Sequence, residues 1–391
     1  MGSRIYDVAE AAGVSIATVS RVLSQSRRVK PGNVARVREA AKRLGYYPHG
    51  PARALVSGRR ETIGICWGAG VSIPDECARA VMDGVAVHLS EHNISNLMVF
   101  TPTSPGAVPK MLAERHIDGL ILATHWNDTF FSLAGELGIP VVLAGESSPK
   151  VSCVYVDDRK VAREATSFLL ELGHRSIAYV GTPCENPHSS VPSRFEGYLD
   201  ALRLAGLVPS SLCSMRVPAD ASRSADESDL AELRFGCCLA ALDTRLRALL
   251  DAPEPPTAFL CFDDSVAAWV IQVLRRMELR VPEDASVMGF NDAPHSHMLP
   301  APLTTMEIPF REMGVRAVDL LMGAIEDPDA PRSECVLSAT LKVRQSTTPF
   351  EGARSGRSGP AACAGYAGLP FPSPLPISLL RSPSKGGDAL R

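Results

Sequence analysis

From residue 61 to residue 349 short apolar runs alternate with amphipathic stretches. Residues 62–67, 95–100, 119–123 and 141–144 read as buried strands, with helices expected over 75–91, 108–115 and 129–137 between them. A second series opens near residues 154–158, with a strand that ends before Asp157. Helices at 160–172, 194–205, 230–250 and 265–277 are then interleaved with strands at 177–180, 258–262 and 286–290. Parallel neighbours need a crossover, and helices supply it, so the alternation predicts parallel sheets covered on both faces. Two such series predict two doubly wound lobes facing a cleft, with ligands bound at the C-terminal ends of the strands.

Polar residues just beyond those strands are therefore the candidate ligand contacts: Asp157 and Asp158, Asp263 and Asp264, Asn291 and Asp292, with Arg194 heading a helix after residue 181. Carboxylates and a guanidinium around a cleft suit hydroxyl-rich or anionic small molecules. Each aspartate can equally cap the helix it precedes. Trp67, Phe100 and Trp126 are candidate stacking platforms for a sugar face, or core residues.

The first sixty residues differ in kind. They carry 12 basic against 3 acidic side chains, while the remaining chain carries 28 against 40. A basic head on an acidic body points to a polyanionic partner. Ile5, Val8, Ala9 and Ala12 recur at helical spacing, Gly13 breaks the pattern, and Ser15 is placed to cap a second helix over 16–23. That layout is a helix-turn-helix. Val19, Val22 and Leu23 would face inward, leaving Ile16, Ala17, Ser20 and Arg21 outward. In a major groove the small apolar groups can meet thymine methyls and Arg21 can reach guanine O6 and N7. Thr18, Arg28, Lys30 and Asn33 are the candidate phosphate contacts. A third helix is expected from Pro31 to Leu44, stopped by Gly45. Residues 49–60 read as a linker in which Ala52, Arg53 and Leu55 form a short hinge helix, with Leu55 a candidate minor-groove wedge.

Asp7-Val8-Ala9, Ala12-Gly13-Val14-Ser15, Thr18-Val19-Ser20-Arg21-Val22-Leu23, Gly45-Tyr46 and Ala52-Arg53-Ala54-Leu55 together resemble the headpiece and hinge of the lactose-repressor (LacI/GalR) family. Leu172-Gly173-His174-Arg175, Arg194-Phe195-Glu196-Gly197-Tyr198, Gly289-Phe290-Asn291-Asp292 and Arg344-Gln345-Ser346-Thr347 resemble that family's sensor domain, itself similar to periplasmic sugar-binding proteins. The resemblance spans residues 3–349. It implies base-reading positions at Ile16, Ala17 and Arg21 and a minor-groove lever at Leu55. It implies effector contacts at Arg194 and Asp264, then Asp157 and Asp292. Gly50-Pro51, Lys30, Asn33, Asp158 and Asp263 depart from the usual family residues, and the last two make the cleft more acidic. That favours a neutral polyol or cationic-leaning ligand over a carboxylate.

The expected architecture is an all-α headpiece (1–48), a hinge (49–60) and an α/β two-lobed effector domain (61–349) of doubly wound parallel sheets. The first lobe is assigned residues 61–158 and 293–322 and the second 159–292 and 323–349. Residues 350–391, with 19 Pro, Gly or Ser in 42, read as a disordered tail without a tetramerising heptad. The expected protein is a homodimeric, cytoplasmic repressor of double-stranded operator DNA, controlled by a sugar or polyol; a nucleoside-responsive, corepressor-dependent regulator is the alternative. Ten scattered cysteines without a Cys-x-x-Cys pair give no metal site, and no apolar run suggests a membrane span. No cofactor is expected. Without a Gly-x-Ser-x-Gly elbow, phosphate loop or metal-spaced His/Glu pair, an enzyme is not expected, and without a secretory leader neither is a transport-type binding protein.

Overall fold

The computed structural model describes residues 4–23, 29–46, 60–67, 76–92, 94–100, 114, 116–123, 135–181, 190–208 and 243–351. Residues 108–113 and 115 of one expected helix, 129–134 of a second and 230–242 of a third, the hinge residues Ala52, Arg53 and Leu55, Arg28, Trp126 and the tail beyond 351 lie outside them.

Three helices form the head: α1 (Ile5–Ala12), α2 (Ile16–Leu23) and α3 (Pro31–Leu44). Gly13 and Gly45 both take left-handed backbone, with φ of 61° and 60°, and their N–H groups close the helices they follow. Ser15 Oγ accepts from the Thr18 backbone N–H at 3.2 Å, the capping bond expected for α2. Val8, Ala12, Val19, Val22, Val37 and Ala40 meet in one small core.

In the body, β1 (Thr62–Trp67), α4 (Glu76–Glu91), β2 (Ser95–Phe100), β3 (Gly119–Ala123), β4 (Val141–Ala144) and β5 (Ser152–Val156) come first. Then follow α5 (Asp158–Glu171), β6 (Ile177–Val180), α6 (Ser190–Leu204), α7 (243–250), β7 (Ala258–Cys261), α8 (Asp264–Arg276) and β8 (Ser286–Phe290). A 3₁₀ turn (Pro294–Met298), β9 (Thr304–Glu307), α9 (Phe310–Glu326), β10 (Glu334–Leu337) and β11 (Thr340–Lys342) complete it. One sheet has the order β10-β5-β4-β3-β1-β2 and is parallel throughout. The other has the order β11-β9-β8-β7-β6, parallel except for the antiparallel edge strand β11. Helices α4 and α9 cover one face of the first sheet. The second sheet lies between the α5–α6 pair and a layer that includes α8 and Leu246 and Leu250 of α7.

This connectivity corrects the expected lobe boundaries. Strand β9 pairs with β8, so residues 304–307 belong to the second lobe; α9 and β10 return to the first, and β11 crosses back. Short strands join whichever sheet edge is unpaired, and that edge is set by contacts distant in sequence.

Helices α4 and α9 approach closely at reciprocal glycines. A Cβ on Gly84 would lie 2.1 Å from the Arg311 carbonyl oxygen, and one on Gly314 would lie 2.1 Å from that of Val81. Backbone, rather than a pliable side chain, blocks the space. Gly314→Ala is therefore expected to destabilise the protein by about 1–3 kcal/mol, read as a lower urea midpoint.

Candidate functional site

The outward face of α2 is presented as its spacing predicts. Ile16, Ala17 and Arg21 are exposed, Ser20 is half-buried, and Val19 and Val22 anchor the opposite side. Thr18, expected to face phosphate, is half-buried and its hydroxyl pairs with Ser15 Oγ at 2.9 Å. Lys30 is exposed, and Asn33 Oδ1 accepts from the Arg36 guanidinium at 2.6 Å. Asn33 thus holds a cation in place besides offering its own amide.

In the body, the C-terminal ends of β5, β6, β7 and β8 bring together most of the predicted polar residues. Arg194, on α6, is 4% exposed. Its Nε donates to Asp158 Oδ1 at 2.6 Å, one terminal nitrogen donates to the Phe262 carbonyl oxygen at 2.7 Å, and the other reaches Asn291 Oδ1 at 3.3 Å. The guanidinium also lies between two aromatic rings, 4.9 Å from the Phe262 centroid and 4.6 Å from that of Phe290. Burial pulls its pKa down, but the charge and hydrogen bond of Asp158 overcome this and leave it above its ordinary value. A shallow hollow beside this cluster is lined by Glu146, Ser147, Asp157, Asp158, Ser190 and Ser193. Carboxylates and hydroxyls dominate its chemistry; the cation in its lining, Arg159, is engaged by Asp200 at 2.7 Å, and the deeply buried Arg194 by Asp158.

The two capping roles weighed for the aspartates are realised at Asp157 and Asp263. Asp157 accepts from the Lys160 N–H at 3.0 Å and Asp263 from the Val266 N–H at 2.7 Å. Asp264 is placed differently from expectation. It is 1% exposed, Oδ1 accepts from Thr305 Oγ at 2.6 Å, and Oδ2 accepts from the Ala293 N–H at 2.7 Å. A Cβ on Gly289 would fall 2.3 Å from Asp264 Oδ1. Asp264 therefore sits behind the cleft wall and ties α8 to β9 and to the 291–293 turn. Burial, partly opposed by these two hydrogen bonds, raises its pKa to about 7.

Asp292 also has a partner that the sequence reading did not assign. Arg344, just after β11, donates to Asp292 Oδ1 at 2.6 Å and to the Leu303 carbonyl oxygen at 2.8 Å. It thereby pins a turn whose Asn291 and Asp292 both have positive φ, 102° and 54°. The Arg344-Gln345-Ser346-Thr347 motif was the available signal; its partner lies 52 residues away. Among the described residues no group of three or more His, Cys, Asp or Glu is placed to hold a metal, and no helix is long and apolar enough to cross a membrane.

Three family models match the chain. Residues 4–49 match bacterial regulatory proteins of the lacI family, residues 82–236 match the periplasmic binding proteins and sugar binding domain of the LacI family, and residues 166–347 match a periplasmic binding protein-like domain. The HTH-type transcriptional regulator CelR of Thermobifida fusca is 30% identical over 350 residues, covering 87% of this chain and 96% of that protein. A solved complex of the transcriptional regulator CelR with cellobiose is 27% identical, with a TM-score of 0.57 over 88% of this chain and 99% of that one. The lac repressor dimer bound to operator and the anti-inducer ONPF shares the fold, with a TM-score of 0.70 at 24% identity over 89% of this chain and 100% of that one. With a helix-turn-helix head and a two-sheet sensor in the same order as these proteins, the chain belongs to the lacI family of bacterial regulatory proteins.

Proposed function

We propose that this protein is a sequence-specific transcription repressor that binds operator DNA as a homodimer and is released or retained by a saccharide or related polyol held between the lobes. The carrying observation is the α2 face: Ile16, Ala17 and Arg21 are exposed on a helix fixed from behind by Val19 and Val22. In this reading Arg21 addresses a guanine edge, Ile16 and Ala17 meet thymine methyls, and Ser20 borders them. Thr18, Arg28, Lys30 and Asn33 serve the phosphates, while Ala52, Arg53 and Leu55 form the minor-groove element. Two heads on a symmetric dimer would read a near-palindromic site.

The effector class rests on the lining beside Arg194. Glu146, Asp157, Ser190 and Ser193 offer acceptors and hydroxyls suited to a polyol, and the related CelR was solved with cellobiose. Asp157, Arg194 and Trp126 are assigned to the ligand. Asp264 and Asp292 act from behind, by holding the walls. Effector occupancy need shift the lobe equilibrium by only about 1–3 kcal/mol to change operator affinity roughly 5–150-fold.

The test is a mobility-shift titration on the DNA upstream of the protein's own gene. Arg21→Ala is expected to weaken specific binding by about 10–100-fold, the worth of one bidentate base contact, while non-specific binding changes little. Equal loss on specific and scrambled duplexes would remove Arg21 from base reading.

A further inference from the structure

Glu76 and His295 meet across the two lobes, apart from the Arg194 cluster. Glu76 opens α4, which packs on the first sheet; His295 lies in the 3₁₀ turn that follows β8 of the second. His295 Nδ1 is 3.3 Å from Glu76 Oε2. Neither Glu76 Oε2 nor His295 Nε2 is open to solvent, and neither has a hydrogen-bond partner among the described residues. At this distance and without a hydrogen-bond angle, what joins the two side chains is charge. An imidazolium is attracted to the carboxylate; a neutral ring gains almost nothing in this geometry.

The surroundings reinforce that dependence. Asp263 and Asp264, at the start of α8, both feel the charge of His295, so carboxylates face the ring from two elements. On its own turn, His297 is engaged by Arg344 at 3.1 Å and Asp292 at 3.5 Å. On α4 the next charged groups, Arg79 and Asp83, lie 4.0 Å from each other. The turn itself is stiff. Ser296 N–H donates to the Ala293 carbonyl oxygen at 2.8 Å, and the Ala293 N–H is held by Asp264. A pull on His295 is therefore passed to the second lobe as a body, not absorbed by a loop.

We propose that Glu76 and His295 form a proton-dependent clasp between the lobes, fastened when the imidazole is charged and released when it is neutral. Imidazole is the side chain that changes charge between about pH 5 and 8. Mild acid would then favour the lobe arrangement described above, whatever the effector.

Hydrogen-exchange mass spectrometry on the full-length protein tests this without effector or DNA. After correction for intrinsic exchange, peptides covering 76–82 and 293–299 should exchange about two- to fivefold more slowly at pH 5.5 than at pH 8, the range of a half-exposed ion pair. Because Asp264 titrates in the same window and holds the Ala293 N–H, the variants are made in an Asp264→Asn background, where Glu76→Gln and His295→Gln should each abolish that pH dependence and the double variant should match the singles. His295→Lys, which carries a permanent charge, should keep the slow rate at both pH values. A purely structural role would change exchange equally at both. Persistence of the pH dependence when His295→Gln is added to Asp264→Asn, or additive effects of Glu76→Gln and His295→Gln in that background, would overturn the clasp.

Discussion

Replacing Arg194 by alanine is expected to destabilise the protein by about 3–5 kcal/mol and to remove any response to effector. The residue is not a free arm waiting for ligand. Its side chain is 5% exposed and that of Asp158 is 12% exposed, so truncation strands a carboxylate in a dry site. It also leaves the Phe262 carbonyl oxygen without its donor and empties the space between two rings. For Asp158, burial pushes the pKa up against the pull of Arg194, whereas for Arg194 the pair outweighs burial. The 2.6 Å contact favours the charged pair in the intact protein. Without Arg194 nothing on that contact opposes burial, and Asp158 should take up a proton. The Arg194→Ala/Asp158→Ala double variant should therefore recover part of the loss, because the orphaned buried carboxyl is gone. Urea unfolding of the three variants checks this. A cost below about 1 kcal/mol for Arg194→Ala, the value of an exposed pair, would refute the buried clamp.

Asp264 gives the second large effect, and its sign is the reverse of the usual carboxylate. Its folded pKa is raised from 3.8 to about 7, chiefly by burial. Its contribution to stability is therefore fully present below the unfolded value and is lost as pH rises through the folded one. Relative to the non-titrating Asp264→Asn, the wild type should lose about 2–3 kcal/mol between pH 5 and pH 8, at roughly 1.4 kcal/mol per pH unit across the window. Paired urea titrations at those two pH values measure it. A difference that is flat, or that grows with pH, would mean that Thr305 and the Ala293 N–H hold the ionised form after all.

The head was readable because its punctuation is local. Gly13, Ser15 and Gly45 each act within a few residues, and the structure gives them the turn, cap and stop their chemistry requires. The central strands were equally plain, since Gly119–Ala123 and Ser286–Phe290 are buried at every position. The last crossovers were not. Thr304–Glu307 and Glu334–Leu337 are four-residue strands of mixed polarity, and only distant pairing assigns them to a sheet. The adjacent aspartates show a subtler limit. Residues 263 and 264 both follow β7, yet one caps α8 and the other turns inward to Thr305. The difference is a single residue's rotation about the helix axis, which the local sequence does not encode. Arg194 likewise showed its charge in the sequence but not its two aromatic neighbours, one from each of two different strand ends.

A regulator of this kind needs a head that tells one duplex from another and a sensor that alters how tightly it does so. Fluorescence anisotropy on a labelled duplex from upstream of the protein's own gene, at about 0.15 M salt, tests both halves together against a scrambled duplex and a panel of saccharides and polyols. The account predicts at least about a thousandfold preference for the cognate duplex, changed about fivefold or more by one member of the panel. Equal affinity for both duplexes, unmoved by every compound, would contradict it.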